Sequence, residues 1–186
     1  MIRLNEILPK NRQVISDGGH FIGWSSYYFD LPAPDSLVMV VTQFQSIGLG
    51  LPSATGAAIA RPEATHIVVT GDGGAIMGLS DLDSFIRTST SAVVIVFNDG
   101  CYGAEIHQYG SQGLDTQIME IDQANFVNHG QGFGATGAII HTLDDLDQVN
   151  DWVQAGAHGT FIIDLRISRN IVAPYIEEIV ELTLKK

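Results

Sequence analysis

Apolar residues in this chain gather into short β-branched runs that end at corners rich in glycine, aspartate and asparagine. Residues 67–70 (Ile-Val-Val-Thr) and 92–97 (Ala-Val-Val-Ile-Val-Phe) are unbroken apolar runs of strand length, the pattern of strands covered on both faces. Residues 14–16, 37–42, 138–140 and 160–165 read the same way. Helical spacing lies between them. Leu4, Ile7 and Leu8 open the chain, small residues dominate 54–60, and Leu79, Leu82, Phe85 and Ile86 share one face. Residues 121–133 predict a further helix, and 144–155 an amphipathic one with Leu146, Val149, Trp152 and Val153 inward. The aromatic run 21–29 reads as a core helix. Strands and helices alternating at these lengths predict an α/β fold, a doubly wound parallel sheet with helices on both faces, as one domain over residues 1–186.

The corners carry the candidate chemistry. One strand stops at Gly71-Asp72-Gly73-Gly74 and another at Asn98-Asp99-Gly100. Neighbouring parallel strands would bring both corners to the C-terminal edge of the sheet, where open α/β sheets bind ligands. Asp72, Asn98 and Asp99 offer hard oxygen donors, which suit Mg²⁺ bridged to a phosphate. Amides around Gly73 and Gly74, leading into a helix, suit that phosphate. Each corner alone is equally a strand-to-helix turn that uses Gly, Asp and Asn for geometry and capping. Their pairing favours the metal–phosphate reading.

Gly71-Asp72-Gly73, followed after about two dozen residues by Asn98-Asp99-Gly100-Cys101-Tyr102-Gly103, resembles the thiamine diphosphate motif. The chain is most similar to the cofactor-binding C-terminal domain of the acetolactate synthase and benzoylformate decarboxylase superfamily. The resemblance implies that Asp72, Asp99 and the main-chain carbonyl of Cys101 hold Mg²⁺ on the cofactor's diphosphate, with Tyr102 in the same motif. Asp99 stands where the family usually has Asn, which adds a negative charge beside the diphosphate. Gly19 and His20, after the first strand, are implied at the terminal phosphate. Residues 43–52 resemble the family's G-x-x-G-x-G-L-P region. There Ile47 matches the apolar wedge that bends the cofactor, and the Gln45 carbonyl matches the contact to its aminopyrimidine. In the family, activation also needs a Glu from a separate pyrimidine-binding domain. No match to that domain is visible, so the chain is expected to be a subunit of a split enzyme or a piece of a longer polypeptide. No catalytic residue is assigned within it. Glu105 and His107 are acid–base candidates in a polar, glycine-rich stretch, 102–113, that reads as a lid or interface loop.

Composition narrows the partners. At 186 residues, 45% hydrophobic and 16% charged, the chain has enough apolar material for a sizeable core. A net charge of −12 argues against nucleic acid and anionic membranes. A single cysteine, Cys101, excludes an internal disulfide or a cysteine-ligated cluster. Without a recognisable leader or a long apolar run, a cytoplasmic location is expected. The expected function is a thiamine diphosphate- and Mg²⁺-binding component of a 2-oxo acid decarboxylase or carboligase. It would work in a homo- or hetero-oligomer on a small 2-oxo acid. The alternatives are a non-catalytic nucleotide- or diphosphate-binding module and the beta subunit of a 2-oxo acid oxidoreductase. The latter usually carries cluster cysteines that are absent here, and no G-x-G-x-x-G follows the first strand.

Overall fold

The computed structural model describes residues 1–44 and 46–184. Six strands form one sheet in the order β2-β1-β3-β4-β6-β5, and every described pairing is parallel. They are β1 (Arg12–Ser16), β2 (Leu37–Val38), β3 (Thr65–Gly71), β4 (Ser91–Asn98), β5 (Thr136–Ile140) and β6 (Gly159–Arg166). The helices are α1 (Ile2–Ile7), α2 (Ile22–Tyr28), α3 (Val40–Phe44), α4 (Gly50–Ala60), α5 (Asp72–Met77), α6 (Leu82–Thr88), α7 (Gly103–Glu105), α8 (Phe126–Gly132), α9 (Asp147–Gln154) and α10 (Pro174–Leu184).

Successive side chains on a strand point to opposite faces, and the core divides accordingly. Ile67, Val69, Val93, Ile95 and Ile163 pack on one face with Leu4 and Ile7 of α1, Phe21 beside α2 and Val149 of α9. Val68, Ala92, Val94, Val96 and Ile162 pack on the other with Leu51 and Ala54 of α4, Phe85 of α6 and Phe126 of α8. Each fully buried aliphatic side chain contributes about 1.5–3 kcal/mol, so both faces are bound firmly to the central strands. The expected doubly wound α/β sheet is the fold observed.

Three elements differ from the sequence expectation. Residues 37–42 do not form one strand: β2 ends at Val38, and α3 begins at Val40. The register explains this. Leu37 and Val38 pair with Val14 and Ile15, so the next residues would face the point where β1 gives way to the Gly18-Gly19 turn. A helix meets backbone hydrogen bonds internally where no ladder is available. The helix expected over 121–133 starts only at Phe126, where the Asn125 side chain caps it by accepting from the Asn128 amide at 2.9 Å. Before it, the Ile121 amide donates to the Gly100 carbonyl at 2.9 Å, which keeps that stretch extended along the β4 corner. Within α2 only Ser25 is buried. The flanking Phe21 and Phe29 enter the core, whereas Tyr27 remains exposed.

Candidate functional site

β1, β3 and β4 end side by side, and their exit loops meet at one edge of the sheet. The first loop begins with Asp17, whose carboxylate is buried with no basic partner among the described residues. Backbone and hydroxyl donors satisfy it instead. Its Oδ1 accepts from the Gly18 amide at 2.8 Å and the Gly48 amide at 3.0 Å, and its Oδ2 accepts from Thr70 Oγ1 at 3.1 Å. Asp17 thus ties the β1 loop, the 46–49 loop and the end of β3 together. Gly48 makes the tie possible. Its φ of +84° suits glycine, and an added Cβ would lie 2.7 Å from the Met77 Cβ.

The β3 corner opens α5 with Asp72, which is 2% exposed. Its Oδ1 accepts from the Gly73 amide at 2.8 Å, and its Oδ2 accepts from the Gly100 amide on the β4 corner at 2.7 Å. Asp99 follows β4, with its Oδ2 3.1 Å from Nε2 of His20. The two acids therefore approach from adjacent strands under different electrostatic conditions. Burial, and after it the charge of Asp99, pushes the Asp72 carboxyl up to about 6. Burial also acts to raise Asp99. The hydrogen bond and charge of His20, together with hydrogen bonds from Cys101, outweigh it and hold that carboxyl below its ordinary range. Burial and the charge of Asp99 push the Cys101 thiol up to about 12, so it is no thiolate near neutral pH.

Gly19, His20, Ile47, Asp72, Gly73, Gly74, Asp99, Cys101 and Tyr102 all line one cleft of about 160 Å³. Gln45, the remaining residue singled out by sequence, lies outside the described residues. A second cleft of about 230 Å³ shares Gly18, Gly19 and Ile47 with the first, so Ile47 stands at their junction. Tyr102 packs closely against Gly73, where an added Cβ would be 2.4 Å from the ring. Asn98 faces away from the cleft. Its Nδ2 donates to Asp164 Oδ1 at 2.9 Å and to the Ala124 carbonyl at 3.0 Å, so it braces the corner from behind.

The stretch read as a lid loop is helical instead. It comprises α7 and a π-helical turn, Ile106–Gly110, and Gly103, Ala104 and Glu105 form a wall of the cleft. π-Helical turns recur at functional sites. His107 packs edge-on against His20 with ring centroids 5.3 Å apart, and its Nε2 meets the Arg169 carbonyl at 2.8 Å. Glu105 is thus at the cleft, and His107 stands behind His20.

The donor chemistry fits a diphosphate-bound Mg²⁺. Among the described residues no cluster of three or more His, Cys, Asp or Glu side chains is arranged to hold a metal unaided. Two converging carboxylates fit an ion that takes part of its shell from phosphate and water. Asp99 Oδ2 is buried and faces only the His20 Nε2 at 3.1 Å, a contact outside strict hydrogen-bond geometry, so the carboxylate keeps lone pairs to offer a cation. Asp17, which holds these loops together, is the site-supporting residue that the sequence patterns did not single out. Its signal was an acid placed directly after a buried strand, at the head of a glycine turn.

Comparisons with known proteins show the family to which the chain belongs. Residues 17–165 match the family model described as thiamine pyrophosphate enzyme, C-terminal TPP binding domain. An acetolactate synthase from Bacillus subtilis is 30% identical over 87% of this chain and 29% of its own length. A 2-hydroxyacyl-CoA lyase 2 from Danio rerio is 32% identical over 54% of this chain and 16% of its own. The chain thus spans less than a third of the length of these relatives. The structure of a benzoylformate decarboxylase from Polynucleobacter necessarius superposes with a TM-score of 0.79 at 20% identity, covering 93% of this chain and 33% of that one. That likeness concerns the fold.

Proposed function

Because the chain belongs to the thiamine pyrophosphate enzymes, as their C-terminal TPP-binding domain, we propose that it is the diphosphate- and Mg²⁺-holding part of a 2-oxo acid decarboxylase or carboligase. The observation that carries this reading is the convergence of Asp72 and Asp99 from adjacent strands into a cleft that ends at Ile47. In this reading Asp72, Asp99 and the Cys101 carbonyl hold Mg²⁺. The turns at Gly19-His20 and Gly73-Gly74 receive the diphosphate, and Gly74, in the first turn of α5, has an amide without an intrahelical partner. Tyr102 walls the diphosphate end, and Ile47 bends the cofactor between the two clefts. Thiamine diphosphate, when bound, supplies the electron sink for breaking or making a carbon–carbon bond beside a carbonyl. The protein's part is to orient that group and exclude water from it.

A second domain belongs to the proposal. The cleft is smaller than the roughly 300–1,000 Å³ of a site that encloses a whole ligand, and the relatives are more than three times as long. A separate pyrimidine-binding domain, in the same polypeptide or a partner subunit, would complete the site and bring the activating Glu. Isothermal calorimetry with thiamine diphosphate tests the core of the reading. Binding should require Mg²⁺ and disappear with a chelator, and equal binding under both conditions would remove the metal from the site.

A further inference from the structure

We propose that residues 169–175, which lie beyond the stretch matched by the family model, are a strap that positions the cleft's loops, with Tyr175 fastening the loop that carries His20. The inference rests on the cofactor reading above for its consequence, and on contacts within this chain for its mechanics.

Three fastenings carry it. Tyr175 sits in the first turn of α10, and its hydroxyl donates to the His20 carbonyl while accepting from the Gly23 amide at 3.1 Å. Its ring occupies the space beside Gly23, where an added Cβ would lie 2.5 Å from Cε1. At the other end of the strap, the Arg169 carbonyl accepts from Nε2 of His107, the ring packed against His20. The Arg169 guanidinium also reaches the β4 corner, donating from Nη2 to the Gly100 carbonyl at 3.4 Å and pairing through Nη1 with Glu120 at 3.1 Å. Between these ends Ala173 is fully buried, which anchors the middle of the strap.

His20 is consequently held from three directions. Tyr175 grips its main chain, Asp99 its imidazole and His107 its ring edge. Two of these three restraints lead back to the strap. Packing alone leaves the hydroxyl unexplained. A Phe would fill the same space beside Gly23 and against Trp24, whose ring centroid is 6.0 Å away. What the hydroxyl adds is a pair of hydrogen bonds to the main chain of a cleft loop. A loop so fixed binds without first being ordered, and a loosened one binds in proportion to the fraction of time it is competent.

The test compares Tyr175→Phe with Tyr27→Phe in the full chain. Tyr27 also packs on the Tyr175 ring, at 6.2 Å, and is mostly exposed. Hydrogen exchange in the absence of cofactor reads the loop directly, and calorimetry with thiamine diphosphate and Mg²⁺ reads the consequence. Tyr175→Phe should speed exchange over residues 18–24 and weaken binding about 10-fold, the effect of losing two such hydrogen bonds. Tyr27→Phe should do neither. Because Tyr175 holds the main-chain carbonyl of residue 20, a His20→Ala background should preserve the effect of Tyr175→Phe on exchange over 18–24, and exchange in the central strands should stay unchanged, which a general loss of stability would not produce. Unchanged exchange over 18–24 overturns the strap, as does faster exchange with unchanged affinity. If the parent chain fails to bind thiamine diphosphate while Tyr175→Phe still loosens 18–24, the cofactor reading falls and the strap's mechanics stand.

Discussion

Removing the proton that Asp72 holds in the folded, metal-free protein should flatten the dependence of stability on pH. The carboxyl is raised from 3.8 to about 6, a displacement worth about 3 kcal/mol when complete. The native state therefore binds this proton more tightly than the unfolded chain does. Between pH ~4 and ~6 it holds more protons, and the metal-free protein gains stability as pH falls through that window. Asp99 acts in the opposite sense and elsewhere. Its pKa is lowered, so its contribution is present above 3.8 and is lost only as pH falls below that value. The two windows do not overlap. Urea denaturation in chelator at half-unit steps from pH 4.5 to 7.5, for the parent and Asp72→Asn, isolates the effect. Asn keeps one acceptor for the amides of Gly73 and Gly100, and the loss of the other shifts all points equally. The parent's stability should rise by ~2 kcal/mol more than the variant's between pH 7 and 4.5, the rest of the displacement falling below that window. Parallel curves would refute the argument that burial and Asp99 hold that proton. The same proton competes with Mg²⁺, so metal-dependent cofactor binding should weaken about tenfold for each pH unit below 6.

Other perturbations separate the remaining roles. Asp99→Ala should abolish Mg²⁺-dependent binding in calorimetry, whereas Asn98→Ala should chiefly cost about 1–3 kcal/mol in urea stability, because it leaves the buried Asp164 Oδ1 without its donor. Asp99→Asn should keep binding while moving the Asp72 pH midpoint down, since it removes the second acid's charge; a midpoint that stays near 6 would assign the shift to burial alone. Asp17→Ala strands the Gly18 and Gly48 amides, while the Thr70 hydroxyl keeps the Gly71 carbonyl as its acceptor, and should cost several kcal/mol at about 1–3 per unsatisfied amide, read by urea denaturation. Pyruvate with the purified chain should give no decarboxylation above free cofactor, and adding a pyrimidine-binding domain that carries its Glu should restore it. Robust turnover by the chain alone would move attention to Glu105 at the cleft wall.

The local sequence determined the strands, their burial on both faces and the acids at their ends. A run such as Ala92 to Phe97 carries that information in itself, because six consecutive apolar residues leave no side for solvent. It also determined that Asp72 and Asp99 would share an edge, since parallel neighbours end on the same side. Only the tertiary structure decided which member of the Asn98-Asp99 pair faces the cleft, because that depended on Asp164, far along the chain, receiving Asn98. The short β2 had the same origin. Residues 37–42 have the composition of a strand, but a strand needs a partner, and β1 had already turned away. The Asp17 tie and the Tyr175 fastening were equally out of reach of local pattern. An isolated acid and an isolated tyrosine carry no periodicity, and the amides and carbonyls they meet are backbone groups that every residue possesses. What selects those partners is the closing of a parallel sheet, which brings distant loops to one edge and leaves their polar groups to be satisfied there.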